Sequence, residues 1–181
     1  RPCVEWFDRI SETEYRQLSA DRFTDVPDGA WYAEAANWCR EQNILTGSTF
    51  AADTPMTRST VADALYRAEG SPAVQSTASF SDVPVNSSYA NAASWASANG
   101  IMSGYGGGRF GGEDPVTREQ MAAILWRYAG SPAAASTEAF ADEATIAAYA
   151  KTAVNWAKAN DVVNGIGGNL FDPKGSLTRA Q

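Results

Sequence analysis

Three kinds of side chain in this sequence have the chemistry for a functional site: neighbouring carboxylates, cysteines, and arginines that directly follow threonine. Histidine is absent, which excludes histidine-dependent catalytic triads and histidine-ligated zinc. The two cysteines cannot make a four-ligand zinc site by themselves. The neighbouring carboxylates fall in expected turns or helix starts, where capping and solvation account for them. They are Asp25 with Asp28, Glu113 with Asp114, and Asp142 with Glu143. The sequence therefore predicts no catalytic residue, no metal site and no cofactor.

The arginines are more informative, because each follows a threonine at the start of an expected helix. The pairs are Thr57-Arg58, Thr117-Arg118 and Thr178-Arg179, and a glutamine two residues after the last two arginines completes a typical N-capping pattern. An arginine there lies beside the outward-pointing N–H groups of the first helical turn, a combination that suits a carboxylate or another anion. We interpret these arginines as candidate anion-binding residues. The alternative is that each one pairs with an aspartate for structural reasons alone.

The threonine–arginine pairs belong to an internal repeat that occurs three times, with a period of 57 to 61 residues. Each copy contains, in the same order, Phe-x-Asp, a tyrosine, a tryptophan, a glycine-bearing loop, a second phenylalanine and Thr-Arg. The Phe-x-Asp segments begin at Phe23, Phe80 and Phe140, and the second phenylalanines are Phe50, Phe110 and Phe171. Three ordered sets of anchors indicate one structural unit used three times.

Each copy is predicted to form two helices joined by the glycine loop. Apolar residues at helical spacing place the first helices at 31–42, 89–99 and 146–160. The second helices follow Thr57 and Thr117, whereas the third copy ends at Gln181, one turn into its own second helix. Two further sets have expected roles: Gly47, Gly104 and Gly165 as left-handed residues that end the first helices, and Trp38, Trp95 and Trp156 as core residues.

The motif Phe80-Ser81-Asp82-Val83-Pro84, the aromatic first helix, the glycine loop and Thr117-Arg118-Glu119-Gln120 together resemble the S-layer homology (SLH) module. This module commonly occurs as three tandem copies, and the resemblance covers about residues 23–181. It implies an all-α fold of three helix-loop-helix repeats in a pseudo-threefold arrangement. We expect repeat 1 at 23–72, repeat 2 at 80–132, an incomplete repeat 3 at 140–181, and an extra helix in the N-terminal segment 1–22. That extra helix would cover the apolar surface left open by the truncated second helix of repeat 3.

The resemblance also implies a function, because SLH modules hold exported bacterial proteins on the cell wall. They do so by binding secondary cell-wall polysaccharide, often at a pyruvylated sugar. The expectation is an extracellular, non-catalytic anchor on a Gram-positive cell surface, with cell-wall polysaccharide as its partner. An attached cargo domain or other copies of the chain are further expected partners. The alternative is a protein-interaction or self-assembly module on the same scaffold, with inactive sugar grooves.

Site residues carry over from the family by position. In the family the Thr-Arg motif lines the grooves between modules that take the sugar. The corresponding candidates are Arg58, Arg118 and Arg179, joined by the motif aspartates Asp25, Asp82 and Asp142. Repeat 2 is the most complete copy, so Arg118 with Asp82 and Tyr105 is the leading set. Tyr89, at a helix start where its hydroxyl can stay hydrated, is a further candidate.

Composition limits the partners. The 181 residues carry 14 basic and 21 acidic side chains, a net charge of −7, which argues against nucleic acid. The longest apolar runs are far shorter than the ~18–20 residues of a membrane span, so insertion into a membrane is not expected. Cys3 and Cys39 fit a disulfide that would tie the N-terminal segment to repeat 1 in an oxidising compartment. The alternative for these two residues is a pair of separate thiols.

Overall fold

The computed structural model describes residues 22–75, 80–135 and 138–181. The described residues form five α-helices and a short 3-10 helix, with isolated β-bridges in place of any β-strand. The helices are α1 (Ala33–Glu41), α2 (Arg58–Ala68), α3 (Ala90–Ala98), α4 (Arg118–Tyr128) and α5 (Lys151–Ala159), and the 3-10 helix is Glu143–Thr145. The prediction of an all-α fold built from helix-loop-helix repeats is confirmed. None of the helices in these ranges has the length and apolar character that a membrane span requires.

The second helices begin where the sequence predicts. The hydroxyl oxygen of Thr57 accepts the N–H of Thr60 at the start of α2. At the start of α4, Thr117 accepts the N–H of Gln120, and the Gln120 side chain accepts the N–H of Thr117. These caps satisfy N–H groups that lack partners inside the helix, which is why Thr-Arg marks each start so clearly.

The first helix of repeat 3 begins later than predicted. The structure starts α5 at Lys151, so the expected start at Ile146 is wrong. The residues before Ile146 form the 3-10 helix, and Ile146 itself leaves it in an extended conformation. Ile146 is buried in a cluster with Ala150 and Val154. Its apolar character therefore serves the packing of a turn and not a helical face.

The glycines predicted to end the first helices do not have that role. The left-handed residues just beyond these helices are Asn43, Gly100 and Asp161. Gly104 and Gly165 lie farther along, where the loop turns back on itself. A Cβ at Gly104 would collide with the carbonyl oxygen of Arg109, and one at Gly165 would come within 2.7 Å of the carbonyl oxygen of Leu170. Close backbone approach, and not helix termination, requires these glycines.

Helices pair between consecutive repeats, with α2 against α3 and α4 against α5. Alanines that are fully buried let the members of each pair approach closely. Larger side chains fill the remaining space, and the fully buried Phe110 and Phe171 are the largest of them. Of the three tryptophans expected in the core, Trp95 and Trp156 are half-buried against these clusters. Trp38 is 54% exposed, so the prediction that it is a core residue is wrong.

The segments that precede the Thr-Arg pairs meet in a closed ring of three backbone hydrogen bonds. The N–H of Met56 donates to the carbonyl of Leu177 (2.8 Å), and the N–H of Leu177 donates to the carbonyl of Val116 (3.0 Å). The N–H of Val116 then donates to the carbonyl of Met56 (2.8 Å). Each repeat contributes one residue to this ring, and isolated β-bridges flank it. The pseudo-threefold arrangement of complete repeats stays a prediction.

The chain divides into two compact units. One unit contains the described residues 22–53 with 179–181, and its core joins Phe23, Ala36 and Phe50 to Ala180. The other unit is Thr54–Thr178 and contains α2 to α5. The predicted repeat boundaries stay predictions. The expected N-terminal helix lies outside the described residues apart from Arg22, and so does Cys3, the expected partner of Cys39.

Replacing Gly104 with alanine should lower the free energy of unfolding by about 1–3 kcal/mol, the usual cost of overpacking a rigid site. The carbonyl that the new methyl group would meet is fixed, since the oxygen of Arg109 accepts the N–H of Tyr105. The matched control is Gly29→Ala, where the methyl group meets nothing within 4 Å and the backbone is not left-handed. Urea unfolding of both variants measures the difference, and equal stability would contradict the close approach described here.

Candidate functional site

Each glycine loop is held by an aspartate of its own repeat. The two carboxylate oxygens of Asp82 accept the N–H groups of Phe110 and Gly111, both at 2.7 Å. The same bonds recur in the other repeats, from Phe50 and Ala51 to Asp25 (2.6 and 2.7 Å) and from Phe171 and Asp172 to Asp142 (2.9 and 2.8 Å). The motif Phe-x-Asp therefore fixes the backbone at the second phenylalanine of its own repeat.

In repeats 2 and 3, the phenylalanine that the aspartate binds is also contacted by an arginine from the preceding repeat. Arg58 Nε donates to the carbonyl of Phe110 at 2.9 Å, and its guanidinium lies 5.1 Å from the centre of that ring. Arg118 Nε donates to the carbonyl of Phe171 at 2.6 Å, also with 5.1 Å between guanidinium and ring centre. Each guanidinium makes a second bond through Nη2, from Arg58 to the carbonyl of Ser103 (2.6 Å) and from Arg118 to that of Asn164 (2.8 Å).

The third arginine makes the corresponding ring contact within the smaller unit. The guanidinium of Arg179, from repeat 3, lies 5.4 Å from the ring centre of Phe50 in repeat 1. We call each phenylalanine with its aspartate and its arginine a phenylalanine clamp. The three clamps are Asp25–Phe50–Arg179, Asp82–Phe110–Arg58 and Asp142–Phe171–Arg118.

The clamps separate the residues of the leading predicted set. Asp82 lies in the clamp of Arg58, and the ring of Tyr105 lies 4.5 Å from the Arg58 guanidinium. Arg118 instead contacts the loop of repeat 3. The structure therefore brings Tyr105 and Asp82 together with Arg58, and it places Arg118 in the next clamp along. Ligand contact by any of these residues stays a prediction.

Tyr89 lies behind the glycine loop of repeat 2. A Cβ at Gly112 would come within 2.9 Å of the Tyr89 ring, so the ring packs directly on this glycine. Burial, together with the negative charges of Glu113 and Asp82, raises the pKa of the Tyr89 hydroxyl. A sugar-binding role for Tyr89 stays a prediction.

The hydrogen bonds of the clamps change the acidity of their aspartates. The N–H groups of Phe110 and Gly111 stabilise the ionised form of Asp82 and lower its pKa from the ordinary value of 3.8. The N–H groups of Phe50 and Ala51 lower the pKa of Asp25 in the same way. For Asp142, burial acts in the opposite direction, but the N–H bonds from Phe171 and Asp172 still leave a lowered pKa.

A cleft of about 290 Å³ opens beside the Arg58 clamp, wholly within the larger unit. We call it the Tyr105 cleft. Its floor includes small and apolar residues of the repeat 2 loop and of α4. Its polar and aromatic lining residues are Arg58, Ser103, Tyr105, Gln120, Arg127 and Tyr149. Tyr105 is 49% exposed and Tyr149 is 50% exposed, so both rings are available to a ligand.

Tyr149 enters this cleft from repeat 3 and is tied to a buried carboxylate. Its hydroxyl donates to Glu119 Oε1 at 3.4 Å, and burial together with the Glu119 charge raises the pKa of Tyr149 to about 12. Glu119 is only 4% exposed, accepts the N–H of Ala147 and forms an ion pair with Lys174. The Tyr149 hydroxyl is therefore held by a carboxylate of α4, which is itself bound by Ala147 and Lys174 of repeat 3.

Sequence reasoning did not identify Arg127 or Gln120 as site residues. Gln120, Ala123, Ile124 and Arg127 all line the cleft, and their spacing of three and four residues defines one face of α4. That spacing was readable from the sequence. The sequence does not indicate which face of α4 borders a cleft, because that depends on how repeat 2 packs against its neighbours.

Tandem helical repeats whose loops are clamped by arginines, with a basic and aromatic cleft beside one clamp, define the class of helical repeat proteins to which this chain belongs. The family model described as "S-layer homology domain" matches the chain three times, at residues 22–62, 79–122 and 139–181. The chain therefore belongs to the S-layer homology family.

Two curated relatives are enzymes of much greater length. An amylopullulanase from Thermoanaerobacterium thermosulfurigenes is 29% identical over 97% of this chain and 10% of its own length. The exoglucanase XynX from Acetivibrio thermocellus is 36% identical over 56% of this chain and 10% of its own length. The chain thus matches about a tenth of each relative.

The clamp aspartates should make stability depend on pH in the acidic range. Their folded pKa values lie below the unfolded value, so their contribution is complete above that value and is lost as the pH falls through the folded pKa. The free energy of unfolding, measured with urea between about pH 6 and pH 3, should therefore decrease. Asp82→Asn should be less stable than the unmodified chain at the upper pH and should lose less on acidification.

The matched control for that experiment is Asp28→Asn. The Asp28 carboxylate is 92% exposed and pairs with Arg22, so Asp28→Asn removes one acidic charge without removing any hydrogen bond of a clamp. A profile for Asp82→Asn as steep as that of the unmodified chain would contradict the role assigned to the clamp.

Proposed function

We propose that this chain is a non-catalytic module that anchors a protein to the bacterial cell wall by binding secondary cell-wall polysaccharide. The ligand is an acidic sugar of that polymer, such as a pyruvylated one, and it binds in the grooves between repeats. The observation that carries the proposal is the Tyr105 cleft, in which two arginines and two half-exposed tyrosines converge at the boundary between repeats. The membership of the chain in the S-layer homology family supports an extracellular cell surface as its setting.

The lining of the cleft suits an acidic saccharide. Half-exposed tyrosine rings offer flat apolar faces for a sugar ring and hydroxyls for its polar edge. Guanidinium groups bind carboxylates through two parallel hydrogen bonds, the geometry that distinguishes arginine from lysine. The amide of Gln120 adds a donor, since its oxygen already accepts the N–H of Thr117.

The net charge of −7 does not prevent binding of an anionic polymer. Beyond a Debye length of about 8 Å at physiological salt, repulsion between exposed charges is largely screened. A charge-assisted hydrogen bond from a guanidinium contributes about 1.5–3 kcal/mol at short range. The local contact therefore outweighs the distant repulsion.

The enzyme names of the relatives do not transfer to this chain. The similar stretch makes up about a tenth of each relative. Among the described residues, the aspartates and arginines of the clamps bind backbone groups and are not arranged as a catalytic pair. The short matches to long relatives favour a module that is attached to a larger cargo domain. A cell-wall anchor needs no chemical step of its own.

The second candidate function is protein interaction or self-assembly. One observation favours it: two tryptophans, one just before α1 and one within it, are exposed. Trp31 is 75% exposed and Trp38 is 54% exposed, and tryptophans are enriched where proteins meet.

Sedimentation with purified cell-wall sacculi tests the anchor proposal. The chain should sediment with native sacculi and remain in solution with sacculi stripped of polysaccharide by hydrofluoric acid. Tyr105→Ala should weaken binding by roughly tenfold, since an aromatic contact contributes about 1–1.5 kcal/mol, whereas Tyr105→Phe should bind nearly as well.

The matched control is Val85→Ala, which removes an exposed aliphatic side chain outside the cleft. It should leave sedimentation unchanged. Equal binding to native and stripped sacculi would refute the anchor proposal. Loss of self-association in Trp38→Ala, with no sedimentation by any variant, would favour the second function.

A further inference from the structure

The two arginines of the Tyr105 cleft differ in how much of each guanidinium is already engaged. Arg58 is 5% exposed, donates through Nε and Nη2 to backbone carbonyls, and lies over the rings of Phe110 and Tyr105. A ligand that drew Arg58 away would break the clamp and loosen the repeat 2 loop. Arg58 therefore supplies positive charge to the cleft mainly from a fixed position.

Arg127 is half-buried near the end of α4 and has a different environment from its counterpart in repeat 1. In α2, Arg67 Nε forms an ion pair with Asp63 at 2.7 Å, one helical turn earlier. In α4 the residue one turn before Arg127 is Ala123, which is fully buried and uncharged. Within the described residues no ion pair is recorded for Arg127. The repeat thus keeps the arginine and replaces its acidic partner with alanine.

Arg127 lines a cleft and does not lie on an open, fully solvated surface. It shares the cleft with the half-exposed rings of Tyr105 and Tyr149. It is close enough to Tyr149 that its charge partly offsets the rise of that tyrosine's pKa, which burial and Glu119 cause. Gln120, about two helical turns earlier on the same face of α4, adds a neutral donor to the lining of the cleft.

We propose that Arg127 is the residue that gives the Tyr105 cleft its preference for an acidic over a neutral saccharide. The carboxylate of the ligand binds the Arg127 guanidinium, and the sugar ring lies between Tyr105 and Tyr149. Arg58 acts as a positioning residue that holds Tyr105. This inference rests on the proposed function, because it assigns the ligand class of the same cleft. A cleft of about 290 Å³ suits a single saccharide unit of a longer polymer.

The test uses two probes, a pyruvate-ketal methyl glycoside and its ketal-free parent, with affinities measured by titration calorimetry. The unmodified chain should bind the acidic probe about ten- to a hundredfold more tightly than the neutral one. Arg127→Ala should abolish that preference while leaving the affinity for the neutral probe unchanged. Arg127→Lys should keep only part of the preference, because an ammonium cannot form the paired hydrogen bonds of a guanidinium.

Arg67→Ala is the matched control, since it removes an arginine at the same helical position outside the cleft. It should leave both affinities unchanged. Urea unfolding of each variant identifies any loss of fold. If Arg127→Ala keeps the preference, the inference is wrong, and native sacculi that still retain the unmodified chain would show that the anchor function stands without it. If the unmodified chain binds neither sacculi nor either probe, the proposed function fails as well.

Discussion

The interaction on which the rest of this structure depends is the phenylalanine clamp. In each clamp a carboxylate within the repeat binds the N–H of a loop phenylalanine, and the guanidinium of another repeat contacts the same residue. The aspartate fixes the loop from within the repeat and the arginine links it to another repeat, and both contacts offset the conformational entropy that an irregular glycine loop loses on ordering. The clamp therefore couples the order of each loop to the presence of a neighbouring repeat.

This coupling explains how a sequence rich in alanine and glycine can build a fixed structure. Helices that pack through alanines bury little apolar area per residue. They therefore approach each other closely but contribute little hydrophobic free energy. Phe110 and Phe171, fully buried between helices and loops, supply the large apolar surfaces. The ring of backbone bonds through Met56, Val116 and Leu177 then links the segments that lead into the arginines. Helix, loop and clamp are thus ordered together, which is how repeat proteins gain stability from neighbours.

The sequence predicts the parts of this design that depend on local chemistry. Threonine caps lie where Thr-Arg places them, since a hydroxyl acts on an N–H three residues away. Errors arise where tertiary packing overrides a local pattern: Ile146 packs in a turn, and Trp38 is exposed. The roles of Gly104 and Arg127 could not be derived, because each depends on a contact that only the folded loop creates. Aspartate and arginine were both identified from the sequence, but their meeting at one phenylalanine connects residues about 28 and 52 positions apart.

The clamps also separate stability from recognition. Arg58 and Arg118 are each committed to backbone carbonyls and an aromatic ring, so replacing either one would disturb the fold whatever the ligand. Recognition can then rest on a position outside the clamps and caps, such as Arg127 on the α4 face that lines the cleft. The contrast between Arg67, paired with Asp63, and Arg127, preceded by Ala123, shows how one substitution changes an arginine from a satisfied surface charge to a charge facing a cleft. Because each repeat can vary these positions independently, a tandem array can keep a common scaffold while its clefts differ in ligand preference. The avidity of such an array is then set by how many of its clefts accept the same sugar.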